Sequence, residues 1–258
     1  MEDFIQIVLL FFIYSLIGWL WETVYCSLKA HHFVYRGFLV GPITPIYGFG
    51  VLAVLYFLQP LHDNLLLLYI SAAVLVTLLE YVTSFALEKL FHASWWDYKD
   101  VPLNINGRVA IPVSLFWGVG CVFIVRVVQP VVEQLVQRLS EQFGFYLPVV
   151  LLCIISMDLG YTLANLAAFQ SAVQRLNQTV EKRTEELKTG LETSKKEVSR
   201  RLEWASYLRE HPEEMANLPR LNFNQRRLLK SFPSLRLENV KNLEELKRLS
   251  ENLRKKRK

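Results

Sequence analysis

Three carboxylates stand inside long apolar runs of this 258-residue chain: Glu22, Glu80 and Asp158. An isolated ionised carboxylate is costly in hydrocarbon. Each must face protein or water, pair with a donor, or take up a proton. Arg36 and Arg108 follow the first two at the start of the next apolar segments. The expected pairs are therefore Glu22/Arg36 and Glu80/Arg108, and two roles stay open for them: orienting helices, or taking part in transport or partner coupling. Asp158 lies about twelve residues into its run. A direct ion or translocation role, a helix-packing hydrogen bond and a misplaced span boundary all remain open for it.

Other chemistry is poorly represented. His31 and His32 are adjacent, His62 and His92 lie in separate connections, and no HExxH spacing occurs. Cys26, Cys121 and Cys153 lack metal-like or redox-like spacing and read as small buried hydrophobes. Ser15, Ser71, Ser84 and Ser114 have no sequence-defined base or oxyanion environment. GxxxxGK[ST] is absent too, so any ATPase belongs to a separate subunit. The expectation is no catalytic residue, no metal and no cofactor.

The elements that position the five charged residues are apolar segments of bilayer length. A helix of roughly 20 residues crosses the hydrocarbon core and satisfies its own backbone hydrogen bonds there. Five spans are expected, at about 4–26, 38–58, 65–87, 109–128 and 146–169. In the second, Gly41, Pro42, Pro45, Gly48 and Gly50 interrupt the beginning. Its helix should start only near Ile46, after an irregular lead-in that is either re-entrant and substrate-lining or a tight structural approach. Asn104, Asn106 and Gly107 favour a turn before the fourth span. The sequence PVVEQLVQRLSEQFG after that span reads as a short amphipathic surface helix. WETVY with Arg36 and LEYVT with Arg108 suggest two parallel hairpin repeats of weak internal symmetry.

Charge divides the chain. Residues 1–170 hold seven Lys/Arg and eleven Asp/Glu, about −4, whereas residues 171–258 hold 22 and 13, about +9. The fold class expected is all-α: a transmembrane helical bundle over 1–170 and a charged helical cytoplasmic tail over 171–258. Lys29, Arg36, Lys89, Lys99 and Arg108 fall on the same side as the tail. Positive-inside reasoning then puts the N-terminus outside and the C-terminus in the cytoplasm. The run from Ala172 to Leu208 has apolar gaps of three, four and seven, fitting a long helix or imperfect coiled coil. Pro212 to Pro233 reads as a break or linker, and a second helical pattern begins near Leu237. The terminal RKKRK suits an anionic leaflet or generic solubility, and the tail as a whole suits anionic lipid or a cytoplasmic protein; nucleic acid is not expected, because no reader motif accompanies the charge.

The blocks FFIYSLIGWLWETVYC, RGFLVGPITPIYGFG, LLEYVTSFALEKLF, WWDY and NINGR before SLFWG resemble the bacterial ABC-transporter type IV family over roughly residues 5–170. That resemblance implies a permease-like, multi-pass protein of the bacterial plasma membrane. It also implies an ATPase or other membrane subunit as partner, with homo-oligomerisation because five spans are few for a complete transporter. The function expected is an ABC transporter permease or accessory membrane subunit. The alternative is a non-transport scaffold or regulator that recruits partners through its tail.

Overall fold

The computed structural model describes residues 1–91, 93–166, 223–232 and 236–237. Contacts divide the chain into two compact units, Met1–Leu163 with Arg227–Leu237, and Ala164–Arg226 with Glu238–Lys258. The first unit carries the architecture below.

Helix α1, Glu2–Ala30, has Glu2 and Asp3 in its first turn and Lys29 in its last, matching the helix dipole at both ends. It stops at His31, whose positive φ of 54° closes the C-terminus in the left-handed region. Irregular chain then leads to α2, Pro45–Phe57, where proline sits at the first helical position and needs no amide donor. The late start expected near Ile46 is thus one residue from the observed one. A short 3-10 turn, Gln59–Leu61, joins α2 to α3, Leu65–Phe91.

Two hairpins result, α1 with α2 and α3 with the next long helix. The first is held close by glycine. A Cβ on Gly48 would strike the Ser15 hydroxyl and approach the Phe11 carbonyl oxygen to 2.6 Å, and one on Gly18 would strike the Tyr47 ring. In the second hairpin, a Cβ on Gly118 would lie 2.9 Å from the Tyr69 ring and 3.0 Å from Ala73. Small residues let helix backbones touch where no water drives association.

Between α3 and the fourth long helix lie two-residue strands, β1 (Ala93–Ser94), β2 (Asn104–Ile105) and β3 (Val109–Ala110). β2 and β3 pair antiparallel, with Asn104 opposite Ala110. Asn106 and Gly107 supply the positive φ values, 54° and 70°, of a type I′ turn that the Asn-Gly pair favours. This turn lies where the Asn/Gly cluster predicted one.

The fourth helix departs from its expected bounds. It begins as α4, Ile111–Phe123, passes through a π-turn at Ile124–Val128 and continues as α5, Gln129–Phe143, a run of 33 residues. The PVVEQ segment is helical and amphipathic as expected, yet it prolongs the span instead of lying apart from it. Pro130 has no N–H for the preceding turn, and the π-turn just before it absorbs that loss without a break. Val132 and Val136 are buried with Ile5, Leu9, Tyr14 and Val51, and Tyr14 donates to Gln129 Oε1 at 2.6 Å.

Helix α6 spans Tyr146–Leu166. Residues 167–169 of the expected fifth span, His92, the 172–208 helical pattern, the pattern extending beyond Leu237 and the RKKRK end lie outside the described residues. Within the segment read as a linker, Phe223–Ser231 forms helix α7; beyond it, where a second helical pattern is expected to begin, Arg236–Leu237 forms β4, paired with β1. The two prolines bracket that helix instead of excluding it.

Among the described residues, α1, α3, the continuous α4–α5 helix and α6 are long and apolar enough to cross a membrane. The architecture is a mostly helical, polytopic membrane bundle. Helix α1 is its centre: 44% of its apolar window is buried, against 17% for α3 and 11% for α6. The outward faces of the latter two present large apolar residues such as Val74, Leu78, Val82, Ile154 and Met157, as a lipid-facing surface requires.

Candidate functional site

The last turns of α1 carry Glu22 and Thr23, and the chain returns past them at Arg36. Glu22 Oε2 lies 3.2 Å from Arg36 Nε, and Glu22 Oε1 accepts from the Tyr47 hydroxyl at 2.9 Å. Thr23 Oγ1 accepts the Arg36 amide at 3.4 Å. Both carboxylate oxygens therefore have donors, one of them a cation. The structure brings the first expected pair together.

It does not bring the second together. Glu80 Oε1 accepts from the Tyr98 hydroxyl at 3.0 Å, and among the described residues Glu80 Oε2 is buried without a hydrogen-bonding partner. Arg108 instead forms an ion pair with Glu88, two helical turns further along α3, and its guanidinium lies over the rings of Tyr81 and Phe85 at 5.5 and 5.4 Å. Local backbone geometry explains the diversion. The β2–β3 turn carries Arg108 at its edge, with Gly107 O accepting the Tyr98 amide at 2.8 Å and Arg108 O accepting Trp96 Nε1 at 2.9 Å. That folded loop presents Tyr98 to Glu80 and leaves the arginine to Glu88.

Tyr98 also links the two glutamates electrostatically. Burial pushes its phenol well above the usual range, the Glu80 carboxylate adds to this, and Glu22 adds further while Arg36 opposes it. The phenol therefore stays protonated and remains a donor. Glu22, Tyr47, Glu80 and Tyr98 make a mixed acidic and phenolic cluster contributed by both hairpins, with one oxygen still able to accept a proton or a cation.

Asp158 occupies a different place. From α6 its Oδ1 accepts the Val40 amide at 2.9 Å and its Oδ2 the Gly41 amide at 2.7 Å, while Thr162 donates to Oδ1 at 3.1 Å. The aspartate thus fastens the lead-in to α2, whose backbone amides would otherwise lack partners within the fold. From the other side, Arg227 donates to the carbonyls of Gly37 at 2.9 Å and Phe38 at 2.7 Å, and the Ser231 hydroxyl donates to Tyr35 O at 2.5 Å.

Sequence reasoning did not single out Tyr47 or Tyr98 as partners, nor Glu88, Thr162, Arg227 and Ser231. Glu80 and Glu88 are eight residues apart on one helix, which made either a candidate for Arg108. The spacing of Asn224, Arg227, Leu228, Ser231 and Phe232 along one helical face was the available signal for α7. Phenol and backbone partners carry no comparable spacing signal.

A family model described as Putative ABC-transporter type IV matches residues 9–163, a stretch that includes Glu22, Arg36, Glu80, Arg108 and Asp158. No curated protein and no solved structure matches the chain.

Proposed function

This chain belongs to the ABC-transporter type IV family, and from that premise we propose that its Glu22–Tyr47–Glu80–Tyr98 cluster is the polar site at which the membrane domain handles its cargo or a coupling proton. Membership makes the chain a multi-pass membrane protein and a permease or accessory subunit of unspecified substrate, in a family of permease components and not of ATPases. The observation that carries the site is the asymmetry of Glu80: one oxygen held by a protonated phenol, the other buried and without a partner among the described residues. A carboxylate in that state gains from an incoming proton or cation, whereas Glu22 is already neutralised by Arg36.

The arrangement in the bilayer follows from length and charge. Helix α2 has 13 residues, about 20 Å, which falls short of a hydrocarbon core of about 30 Å. Together with its irregular lead-in it serves as the fifth crossing, over 38–58, Asp158 of α6 accepting the amides of Val40 and Gly41 as non-helical backbone at membrane depth requires. The N-terminus is outside and residues 171–258 are a cytoplasmic domain, since Lys29, Arg36, Lys89, Lys99 and Arg108 then share the inner side. The Arg36 and Arg108 pairs sit at that inner end. An ATPase would approach from there, the basic tail would contact it or the anionic leaflet, and a second copy of the chain would complete the pathway.

The test is partner capture by crosslinking in the native membrane, followed by ATP turnover of the reconstituted complex. A nucleotide-hydrolysing subunit should be recovered, and Glu80→Gln should cut its turnover at least tenfold without loss of folded protein. Recovery of a cell-envelope or signalling partner alone, with turnover indifferent to Glu80, would replace transport by the scaffold reading. That reading draws on the polar groups of Asp158 and Arg227, which are spent on fastening one loop.

A further inference from the structure

Residues 227–232 are bound to the α1–α2 connection by more than one kind of contact. Arg227 forks onto the carbonyls of Gly37 and Phe38, its guanidinium 5.9 Å from the centre of the Tyr35 ring. Leu228 is fully buried. Ser231 is doubly engaged: its hydroxyl donates to Tyr35 O, and its own carbonyl accepts from Arg36 Nη1. Phe232 lies under the Arg36 guanidinium at 4.9 Å and against Trp95 at 4.8 Å. Leu237 and Arg236 pair with Ala93 and Ser94.

The chemistry of the connection is divided between two grips. Asp158, an acceptor, takes the amides of Val40 and Gly41, while Arg227 and Ser231, donors, take the carbonyls of Tyr35, Gly37 and Phe38. Arg36 lies between α7 and Glu22, giving Nη1 to Ser231 and Nε to Glu22.

We propose that the tail segment 227–232 is a latch, and that Arg227 and Ser231 are positioning residues which set Arg36, and through it the charge balance of Glu22. Release of the segment removes from Arg36 an acceptor and an aromatic platform in one step. The guanidinium is then tethered only through Glu22, and the carbonyls of Gly37 and Phe38 lose their donors. Gly37, at φ 113°, sits in backbone space that a free chain readily leaves. Displacement of this segment therefore reaches the Glu22 carboxylate through Arg36. Arg227 donates to two backbone carbonyls from a position whose burial lowers its pKa, so those hydrogen bonds help to hold a guanidinium withdrawn from water. This inference rests on reading Glu22 and Glu80 as the functional polar site.

Linkage supplies a sharp test: if the latch steadies Arg36 on Glu22, weakening that pair must loosen the latch by the same factor. The full chain, with its three cysteines replaced, is spin-labelled at the exposed positions Phe33 and Lys230 in lipid nanodiscs, and pulsed EPR distances are recorded. The unaltered latch should give one narrow distance. Arg227→Ala and Arg227→Glu should raise the open fraction at least tenfold, and Arg227→Lys, which keeps charge but loses the fork, should fall between. Glu22→Gln should raise it several-fold, and this effect should vanish in an Arg36→Ala background. A broad distance in the otherwise unaltered chain, or no response to Glu22→Gln, would overturn the latch. Should Arg227→Ala fail to fold, the Lys and Gln variants still decide. None of these distances depends on ATP turnover, so an inert Glu80→Gln would sink the transport reading alone, and unchanged distances would sink the latch alone.

Discussion

The two hairpins begin from similar sequence and end in opposite electrostatic states. In α1–α2, Glu22 has a donor on each oxygen and the helices touch through Gly18 and Gly48. In α3–α4, Glu80 has one donor, Arg108 has gone to Glu88, and the close approach at Gly118 meets a ring and a methyl group. Their lead-ins differ in the same sense. The first is fastened by side chains from α6 and α7, more than a hundred residues away in sequence, and the second closes on itself through an Asn-Gly turn. One hairpin is anchored by the rest of the molecule. The other is built locally and keeps a buried carboxylate oxygen without a partner among the described residues.

Substitutions can break that contrast. The largest effect should come from Gly48→Ala, whose added carbon meets the Phe11 backbone carbonyl, which cannot swing away; a loss of about 3 kcal/mol or more is expected. Gly118→Ala should cost about 1 kcal/mol, since the Tyr69 ring can shift. Thermal unfolding in detergent, with folded yield, measures both, and equal losses would remove the distinction. Next, Asp158→Ala leaves two amides of the first lead-in unpaired and should destabilise by about 2–3 kcal/mol. Hydrogen exchange should then accelerate at Val40 and Gly41 while the β2–β3 turn stays unchanged.

Glu22→Gln should lose about 2 kcal/mol, the pair being mostly but not wholly buried. Glu80→Gln should stay within about 1 kcal/mol of the starting protein, because the amide relieves a half-satisfied carboxylate. The two variants should also part in activity, with turnover falling far more than stability for Glu80. If both simply track stability, the functional asymmetry is gone. The smallest effect is expected at Glu88→Gln. Its side chain is 45% exposed, so the Arg108 pair is worth about 0.5 kcal/mol and should weaken further in high salt.

Legibility in the sequence followed the range of the interaction. The presence of long apolar helices, the late start of α2 and the Asn106–Gly107 turn depend on neighbours in sequence, and they could be read there. Glu22 and Arg36 could be matched because both flank one connection. Glu80 and Arg108 were mismatched because the loop between them closes on its own backbone, and that closure decides which side chain faces α3. Asp158 was visible as an anomaly, but besides Thr162 its partners are two backbone amides, and every residue but proline has one. Arg227 was hidden for a related reason, since a basic residue in a basic tail carries no contrast. The continuity of α4 into α5 was missed because Pro130 signals a stop unless the preceding turn widens.

The fastening of the first lead-in by Asp158 also sets an order of assembly. Val40 and Gly41 are synthesised 118 and 117 residues before the carboxylate that receives their amides, and Gly37 190 residues before the guanidinium that caps its carbonyl. At typical elongation rates these intervals are on the order of ten and twenty seconds. Until then the amides of Val40 and Gly41 and the carbonyl of Gly37 lack the side chains that satisfy them in the finished fold, and hydrocarbon offers no substitute. The bundle can close around its earliest loop only after its later helices have left the ribosome.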